Sequence, residues 1–406
     1  MSTVSEQSKK QQLLALIRAN PFIAQQDLAG QLGLSRSAVA GYIAGLIRER
    51  KLLGRAYVLP TAPQRRPIVC VGAANLDRKL RSLDTLALGT SNPAVQSESF
   101  GGVARNIAEN LARLGSQVSL LTAIGADGSG AALLTHAETL GIDTRGALRL
   151  DGVSSGTYTA VLDRDGDMVV ALADMALYEQ LDPAFVAARQ AQFTGAALVA
   201  ADLNLPLATV EAIVDGARRG ETPLVLVAVS EPKMARLPRD LSGVRLLILN
   251  AGELAARAGH ELADDAALGA AMRALQAQGA RDVVVTRGAA GVLLTDGPDA
   301  PIVHLAAPQA EVVDVTGAGD AFAAAVCWSL AQDLGAADEA GAAGDERDGG
   351  LVLACRRGLQ LSKLTVGAYT TVHPDLGPDS LAAIDASLDT NANTNTNTNT
   401  ASPEQD

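Results

Sequence analysis

The chain has 406 residues, which is too long for one ordinary domain and suggests a large domain with an appendage. Apolar residues make up 48% of the chain and aromatic residues 3%, so we expect a core of Ala, Val and Leu, as in α/β proteins with buried parallel strands. This composition excludes disorder of the whole chain. Apolar runs such as Leu224–Val229 are far shorter than the roughly 20 residues that a membrane span needs.

The beginning of the chain and its cysteines both predict a cytoplasmic protein. The opening MSTVSEQSKK leads into an amphipathic pattern rather than an uninterrupted apolar segment with a small-residue cleavage site, so no secretory signal is expected. Cys70, Cys327 and Cys355 are widely spaced and lie among apolar residues, which predicts reduced thiols in the core rather than disulfides or a zinc site.

Charge is distributed unevenly along the chain. Residues 1–66 hold ten Lys and Arg against three Asp and Glu, whereas the whole chain has a formal net charge of −12. A polyanion would therefore meet only the N-terminal segment, because the acidic remainder repels it at short range. We expect the main body to bind small molecules and no membrane.

Residues 1–60 are predicted to form a small, mostly helical domain. Apolar residues at helical spacing indicate a first helix that ends near Ala19, because Asn20-Pro21 follows. A second helix is predicted over Gln25–Leu32, and Ser35 can cap a third that extends to about Arg50. This spacing is typical of a helix-turn-helix.

The same region resembles winged-helix regulators of transcription. Two short strands over residues 51–59 would form the wing, with Lys51 and Arg55 on DNA phosphates. The side chains that would face the major groove are Ser35, Arg36, Ser37 and Tyr42. The alternative is a three-helix docking module whose positive charges are a solvated surface. Since sequence-selective binding normally needs two half-sites, DNA binding would imply a homodimer held together by the larger domain.

The large domain is expected over residues 68–385, after a linker at residues 61–67. Ile68–Gly72 is a short apolar run that predicts a buried strand. Asn75 and Asp77 follow its carboxyl end, where ligands bind in open α/β sheets. On extended chain the two would point the same way and offer an amide and a carboxylate to vicinal hydroxyls. The alternative is that they only cap a turn.

A glycine pair, Gly101-Gly102, precedes a helix predicted over Asn106–Leu114. Because glycine lacks a side chain, these residues can place peptide N–H groups against a polyol, and Asn106 adds an amide from the first helical turn. The segments 156–162 and 168–173 alternate like a hairpin, which predicts a small β-sheet lid. Asp174 at its end either reaches the substrate or forms a turn.

Beyond the hairpin, short apolar runs alternate with helical patterns, which is the order of βαβ units. The strands are predicted at Ala197–Ala201, Leu224–Val229, Leu246–Leu249 and Asp282–Thr286, and the helices include Leu207–Arg219 and Ala266–Gln278.

The segment Val313–Phe322 places small residues between two carboxylates and opens a helix expected to reach about Leu330. At a helix N-terminus the dipole and the unpaired N–H groups favour anions. The backbone N–H groups that would form this anion hole are those of Gly317, Ala318 and Gly319. Asp320 can accept a proton from a substrate hydroxyl beside it, and the alternative is that it caps the helix after a glycine turn.

Two segments resemble the signatures of the ribokinase-like (PfkB) carbohydrate kinase family, in the expected order. They are residues 314–322 and Gly101-Gly102 with Asn106, and the similarity covers about residues 67–385. It implies a three-layer α/β/α sandwich with a β-sheet lid, with Asp320 as catalytic base and the anion hole described above. The residues implied to hold the sugar hydroxyls are Asn75, Asp77, Gly102 and Asn106, with Gly101 and Asp174 as further candidates.

The resemblance also implies ATP and Mg²⁺. Residues 250–253 are similar to the Asn-x-x-Glu element of the family, so Glu253 would order water around Mg²⁺. The residues implied to contact ATP are Asn250, Thr286, Gly288 and Gly291. Asp314 and Thr316 resemble positions that bind a monovalent cation in relatives, here K⁺. Val315 stands where the family often has Thr, which leaves the backbone anion hole intact.

Within the family, residues 100–115, 173–175 and 371–374 are most similar to pseudouridine kinases. The predicted reaction converts ATP and pseudouridine to pseudouridine 5′-phosphate, with Asp320 deprotonating the 5′-hydroxyl. The lid residues predicted to recognise the base are Ser155, Thr157 and Asp174. Another nucleoside or a free sugar stays open, because residues that bind hydroxyls are shared across the family.

A second interpretation is a ligand-sensing transcriptional regulator that uses a kinase-like domain, and a dual role is also open. An intact Asp320 argues against a catalytically inactive domain. Two further segments are predicted to lack regular structure. Ala336–Gly350 is expected to form a flexible surface loop, and residues 386–406, with their alternating Asn and Thr, a disordered tail.

Overall fold

The computed structural model describes residues 3–19, 23–49, 51–52, 66–219, 222–297, 300–340, 350–386 and 388. The chain separates into two compact units, Met1–Arg65 and Arg66–Asp406. Each unit has its own apolar core.

The N-terminal unit contains the predicted helix-turn-helix. Its helices are α1 (Thr3–Ala19), α2 (Gln25–Leu32) and α3 (Arg36–Arg48). Gly33 ends α2 in the left-handed conformation with φ +62°, and Ser35 Oγ accepts a hydrogen bond from Ala38 N and so caps α3. Leu13, Leu28 and Leu46 pack in the core between the helices. The predicted wing lies outside the described residues from position 53 onward, as do residues 61–65 of the linker.

The large unit alternates strands and helices. In chain order the strands are β1 (Ile68–Val71), β2 (Asn75–Ser82), β3 (Ala94–Gly101), β4 (Val118–Leu121), β5 (Ala123–Gly125), β6 (Leu148–Leu150), β7 (Thr157–Leu162), β8 (Met168–Asp174), β9 (Leu198–Asp202), β10 (Leu224–Val227), β11 (Val244–Asn250), β12 (Asp282–Thr286), β13 (Val292–Leu294) and β14 (Val303–Leu305). The helices are α4 (Val103–Arg113), α5 (Gly128–Thr139), α6 (Pro183–Ala188), α7 (Gln190–Gly195), α8 (Leu207–Arg218), α9 (Ala251–Ala258), α10 (Asp265–Ala277), α11 (Ala318–Ala340) and α12 (Gly350–Val366).

An eight-stranded sheet forms the centre of this unit, in the order β14-β13-β12-β11-β10-β9-β1-β4. The strands from β12 to β4 are parallel, and β13 and β14 add an antiparallel edge. Side chains alternate between two apolar cores, so that Val69 and Val71 pack on one face and Ile68 and Cys70 on the other. This is the predicted ribokinase-like α/β fold, with helices on both faces of the sheet.

A second sheet of four strands, in the order β3-β2-β7-β8, forms the predicted lid. The hairpin of β7 and β8 was expected, but β2 and β3 were not. Strand β2 follows β1 after three residues and pairs antiparallel with β3 and parallel with β7. A third, small sheet joins β5 to β6.

Some predicted boundaries were wrong. Helix α4 begins at Val103 rather than Asn106, because the Asp202 carboxylate accepts a bond from Ala104 N and so satisfies a donor of its first turn. Helix α11 extends to Ala340 rather than Leu330, so the first residues of the predicted loop at 336–350 are helical, and residues 341–349 lie outside the described part of the chain. Of the predicted tail, only residues 386 and 388 are described.

The three cysteines are buried and unpaired, as predicted. Burial raises the pKa of the Cys70 thiol, which therefore stays protonated. Within the described residues, none of the helices has the length and apolarity that a membrane span requires.

Candidate active site

The candidate site lies at the carboxyl ends of β1 and β9, where the order of the parallel sheet changes direction. Strand β1 pairs with β4 on one side and with β9 on the other. Helix α4, which follows β1 and the lid strands, and helix α8, which follows β9, pack on opposite faces of the sheet. Such a switch point opens a crevice in which α/β proteins bind ligands. The loop after β1 leads into β2 of the lid, and β9 ends at Asp202.

Asp202 connects the segments that line this crevice, and it was not among the predicted site residues. It is fully buried, and its Oδ2 accepts hydrogen bonds from Ala73 N at 3.0 Å and from Ala104 N at 2.9 Å. Its Oδ1 accepts from Asn204 N at 2.8 Å. A Cβ on Gly72 would overlap this carboxylate. The residue therefore fixes the loop after β1 and the start of α4 relative to the central sheet.

The structure brings Asn75 and Asp77 together on one face of β2. Asn75 Nδ2 donates to Asp77 Oδ1 at 2.5 Å, so the two act as a paired amide and carboxylate rather than as turn caps. Burial raises the pKa of Asp77 to about 6, against the Asn75 bond and the Arg105 charge, which lower it. Gly101 pairs with Asn75 across the strands, and a Cβ on Gly101 would overlap the Asp77 carboxylate.

Gly101→Ala is expected to displace the Asp77 carboxylate, which is predicted to hold the substrate. Because misplacement of such a group by about 1 Å costs about 100-fold, kcat/KM should fall by about that factor. The thermal midpoint should change little, since the added methyl group overlaps the half-buried Asp77 side chain, which can move. Gly377→Ala is the control, because a Cβ there meets no atom within 4 Å. Steady-state kinetics on both variants checks this, and equal activities would contradict it.

Gly102 allows a close approach of two backbone segments. Its φ is +99°, and a Cβ there would lie 2.5 Å from Ala73 O, so only glycine fits. The predicted reason was contact with a polyol. The structure gives a different reason, which is packing of the α4 start on the loop after β1.

Asn106 and Asp320 meet across the crevice although 214 residues separate them. Asn106 Nδ2 donates to Asp320 Oδ2 at 2.7 Å. The orientation of this amide follows from Arg105, whose guanidinium donates to Asn106 Oδ1 at 2.7 Å and to Phe100 O at 2.8 Å and pairs with Glu109. Arg105 is buried, burial lowers its pKa to about 10, and it stays charged at neutral pH. Like Asp202, Arg105 was not among the predicted site residues.

Asp320 is a carboxylate held in a largely desolvated, acidic environment. Burial raises its pKa to about 7, the Asn106 bond lowers it, Asp202 and Asp77 raise it by repulsion, and Arg105 lowers it. Among the described residues it forms no ion pair. A carboxylate with a pKa near neutrality is a better proton acceptor than an ordinary aspartate and is still largely ionised above that pH.

Asp320 lies in the first turn of α11, directly after the glycine-containing turn. Gly317 has φ +83°, and a Cβ there would overlap Thr371 O, so the turn packs closely on residues near the C-terminus. Ala321 N is bonded to Gly317 O, whereas Ala318 N makes a longer contact of 3.3 Å to Val315 O. Ala318 N, one of the three predicted anion-binding donors, is therefore already in contact with a carbonyl, and the predicted anion hole depends on the general preference of helix N-termini for anions.

Asp314 and Thr316 form a compact turn before Gly317. Asp314 Oδ1 accepts from Thr316 N at 2.9 Å and from Thr316 Oγ1 at 2.6 Å, and its Oδ2 lies 2.7 Å from Lys79 Nζ of the lid. Burial raises the pKa of Asp314, but Lys79 and the Thr316 donors outweigh it and the net pKa is lowered.

Asn250 and Glu253 form a reciprocal capping box at the start of α9. Asn250 Oδ1 accepts from Glu253 N at 2.8 Å, and Glu253 Oε2 accepts from Asn250 N at 2.7 Å. Burial and the nearby Glu231 raise the pKa of Glu253. A Cβ on Gly252 would come within 2.5 Å of Glu231 Oε1, so two carboxylates face one region. Asn250 is exposed, and its Nδ2 is not used by the box.

The predicted ATP-contacting residues after β12 form a tight turn. Thr286 is the last residue of β12, and residues 288–290 form a 3₁₀ turn closed by a bond from Arg287 N to Gly291 O at 2.8 Å. Gly291 has φ +83° and packs on the backbone at Leu305, whereas Gly288, with φ +56°, faces open space.

The residues predicted to recognise the base do not all lie on the face of the lid that holds Asp77. Asp174 is exposed and pairs with Thr157, which pairs with Leu76, so strand alternation puts it on the lid face opposite Asp77. Ser155 is buried and occupied, since its Oγ donates to Asp127 Oδ1 at 2.7 Å.

In the helix-turn-helix, the predicted groove-facing residues differ in availability. Arg36 and Ser37 are exposed at the start of α3. Ser35 Oγ is used as the helix cap, and Tyr42 packs partly against the core. Ser37 Oγ also lies 2.9 Å from Ser35 Oγ, so Arg36 is the most available of the four side chains.

The comparisons with known proteins identify the family of the large unit and the type of the N-terminal unit. Residues 65–376 match the model of the pfkB family of carbohydrate kinases, and residues 7–50 match a winged helix-turn-helix DNA-binding model. The chain is 33% identical over 333 residues to "Uncharacterized sugar kinase YeiI" of Escherichia coli (strain K12), which covers 82% of this chain and 90% of that protein. It is 32% identical over 270 residues to the pseudouridine kinase of the same strain, which covers 64% of this chain and 83% of that protein. The structure of Arabidopsis thaliana ribokinase with ribose and ATP has the same fold, with a TM-score of 0.66, 18% identity, and coverage of 79% of this chain and 99% of that one.

Proposed function

The chain belongs to the pfkB family of carbohydrate kinases, and on that premise we propose that it transfers the γ-phosphoryl group of ATP to the 5′-hydroxyl of pseudouridine. The observation that carries the proposal is the Asn106–Asp320 contact of 2.7 Å beside the N-terminus of α11. In the proposed reaction the sugar hydroxyl, its proton acceptor and the transferred phosphoryl group must meet, and this contact supports their meeting at the start of α11. The pseudouridine kinase relative supports the choice of nucleoside.

In the proposed reaction Asp320 accepts the proton of the 5′-hydroxyl as that oxygen bonds to the γ-phosphorus. The bond from the γ-phosphorus to the β,γ-bridging oxygen breaks, and ADP leaves. Asn75 and Asp77 hold vicinal ribose hydroxyls, and Asn106 keeps the Asp320 carboxylate aimed at the 5′ end. The N–H groups of residues 317–319 stabilise the charge on the transferring group.

The residues at the start of α9 fit a role at the metal–nucleotide end. Glu231 and Glu253 are hard oxygen donors close enough to repel each other, and Mg²⁺ prefers oxygen ligands and retained water. Bound Mg²⁺ would neutralise charge on the ATP phosphates. Asn250 Nδ2 is free to donate to a phosphate oxygen, and the turn at Gly288 leaves space for nucleotide. K⁺ at Asp314 and Thr316 stays a prediction, which replacement of K⁺ by tetramethylammonium would test.

A substrate panel tests the proposal. Wild type and Asp320→Asn are assayed for ADP formation with pseudouridine, uridine, inosine, ribose and fructose, and the product is located by ³¹P NMR. We expect the highest kcat/KM with pseudouridine and a 5′-monophosphate product. Turnover of another acceptor with none of pseudouridine would overturn the substrate, and no turnover of any would overturn the activity.

The helix-turn-helix supports a second role, which is binding of DNA by the same chain. Arg36 and Ser37 lie exposed at the start of α3, the helix that enters the major groove in this motif. Full-length protein should bind a fragment from upstream of its own gene, with affinity falling as salt rises. Arg36→Ala with Ser37→Ala should weaken binding and leave kinase turnover unchanged. Equal affinity of wild type and this variant would contradict the assignment.

A further inference from the structure

Lys79 makes a contact that none of the roles above uses. It lies on β2 on the same face as Asn75 and Asp77, because the three positions alternate along the strand. Its Nζ reaches Asp314 Oδ2 at 2.7 Å, which joins residues 235 positions apart. The contact connects the lid sheet to the turn that opens the phosphate-binding N-terminus of α11.

The segment around Asp314 has little apolar packing to hold it. Val312, Val313 and Val315 are 61%, 40% and 68% exposed. Its backbone is held from one side, where Val313 N and Asp314 N donate to Val366 O at 2.7 and 3.2 Å. From the lid side, the polar contact that the described residues provide is the Lys79 ammonium.

The position of the Asp314 carboxylate in turn shapes the phosphate-binding turn. Its other oxygen accepts both the N–H and the hydroxyl of Thr316, and Gly317 follows directly. A carboxylate fixed by an ammonium on one oxygen and by two donors on the other has little freedom. A shift of the lid would therefore be transmitted to the residues that carry the anion-binding N–H groups.

We propose that Lys79 is a positioning residue. Through its ion pair with Asp314, the position of the lid on the sugar determines the geometry of the phosphate-binding turn. The same strand thus holds the sugar through Asn75 and Asp77 and sets the anion site through Lys79. The inference rests on the kinase reaction proposed above.

The neighbouring Arg78 supplies a matched control. It lies on the opposite face of β2 and pairs with Glu98 at 2.7 Å within the lid. The two cations have similar exposure, 39% for Lys79 and 34% for Arg78, so removing either one costs the lid a comparable surface pair. Of these two ion pairs, the Arg78 pair lies within the lid, whereas the Lys79 pair connects the lid to a residue outside it.

The test compares Lys79→Met, Lys79→Arg, Asp314→Asn and Arg78→Met with wild type in full-length protein, using the acceptor that wild type phosphorylates best. We expect Lys79→Met to lower kcat about tenfold through misplacement of the anion site. The KM for the acceptor should change less than kcat, and the thermal midpoint should stay near that of Arg78→Met. Lys79→Arg should recover kcat to within about threefold of wild type, since it keeps the charge.

A double-mutant cycle separates coupling from general damage. Lys79→Met with Asp314→Asn should lose no more activity than the worse single variant, because both remove the same contact. The inference would be overturned if the loss of kcat in the double variant equalled the product of the losses in the two single variants, or if Lys79→Met and Arg78→Met had equal kcat. Neither result would contradict the kinase reaction. Absence of wild-type turnover with any acceptor would instead overturn the reaction itself.

Discussion

Asp320→Asn should lower kcat about 10²- to 10⁴-fold, the usual contribution of a positioned general base. The asparagine keeps the shape of the side chain and can still accept the hydrogen bond from Asn106, so ADP affinity should be unchanged. The control is Asp333→Asn, which makes the same substitution at an exposed position of the same helix. Steady-state kinetics and calorimetric ADP titration check this, and a loss of less than about tenfold would remove Asp320 from the role of base.

The same variant should gain stability at alkaline pH. The pKa of Asp320 is about 7 in the folded protein, above the ordinary 3.8, because burial disfavours the charge. A raised carboxyl pKa means that the fold loses stability as the pH rises from about 4 to 7, since the unfolded chain ionises first. Asp320→Asn removes this penalty, so its thermal midpoint at pH 8 should be higher than that of wild type. An equal or lower midpoint would contradict the burial of an ionised group here.

The pH dependence of kcat/KM should reflect the groups around Asp320. Because the base must be ionised, kcat/KM should rise with pH through an apparent pKa of about 7 and then level off. Asn106→Ala removes a donor to the carboxylate and should shift the rise of kcat/KM to higher pH. Asp77→Asn removes a repelling charge and should shift that rise to lower pH. A merely structural role for either residue would leave the rise in place, so its position in each variant is the measurement.

The parts of the site that the sequence predicted are those encoded by local pattern. The segment Val313–Phe322 contains its own turn, the N–H groups predicted to bind an anion and an acidic side chain, so it could be interpreted without knowing its neighbours. The same holds for Asn75 and Asp77, whose spacing on a strand already places them on one face. The three helices of the N-terminal unit were predicted well because each has a capping or terminating residue, such as Ser35.

The residues that were missed depend on partners far away in the chain. Lys79 and Arg105 have no local signal, since each acts through a contact that exists only after the sheets are assembled. Strand β2 was missed because its sequence, NLDRKLRS, is mostly polar, which is unlike a buried strand and suits a lid that is solvated. Asp202 did carry a signal, which is a carboxylate that ends an otherwise apolar buried strand.

Asp202→Asn should lower the free energy of unfolding of the large unit by about 1–3 kcal/mol, because the substitution leaves a buried donor without an acceptor and that is the usual cost. The carboxylate serves Ala73, Ala104 and Asn204 with two oxygens, whereas an amide has one oxygen and turns an NH₂ toward a donor. Urea unfolding followed by the fluorescence of Trp328, the single tryptophan, reports on this unit alone.

The loss of Asp202 should also lower activity in the fraction that stays folded. Ala104 N belongs to the first turn of α4, so releasing it lets the helix start move, and with it the Asn106 amide that orients Asp320. Asp215→Asn is the control, since Asp215 forms an exposed pair with Arg218 and should cost less than about 1 kcal/mol. Equal unfolding midpoints for the two variants would mean that the start of α4 is held by its apolar contacts, and that Asn106 keeps its position without the buried carboxylate.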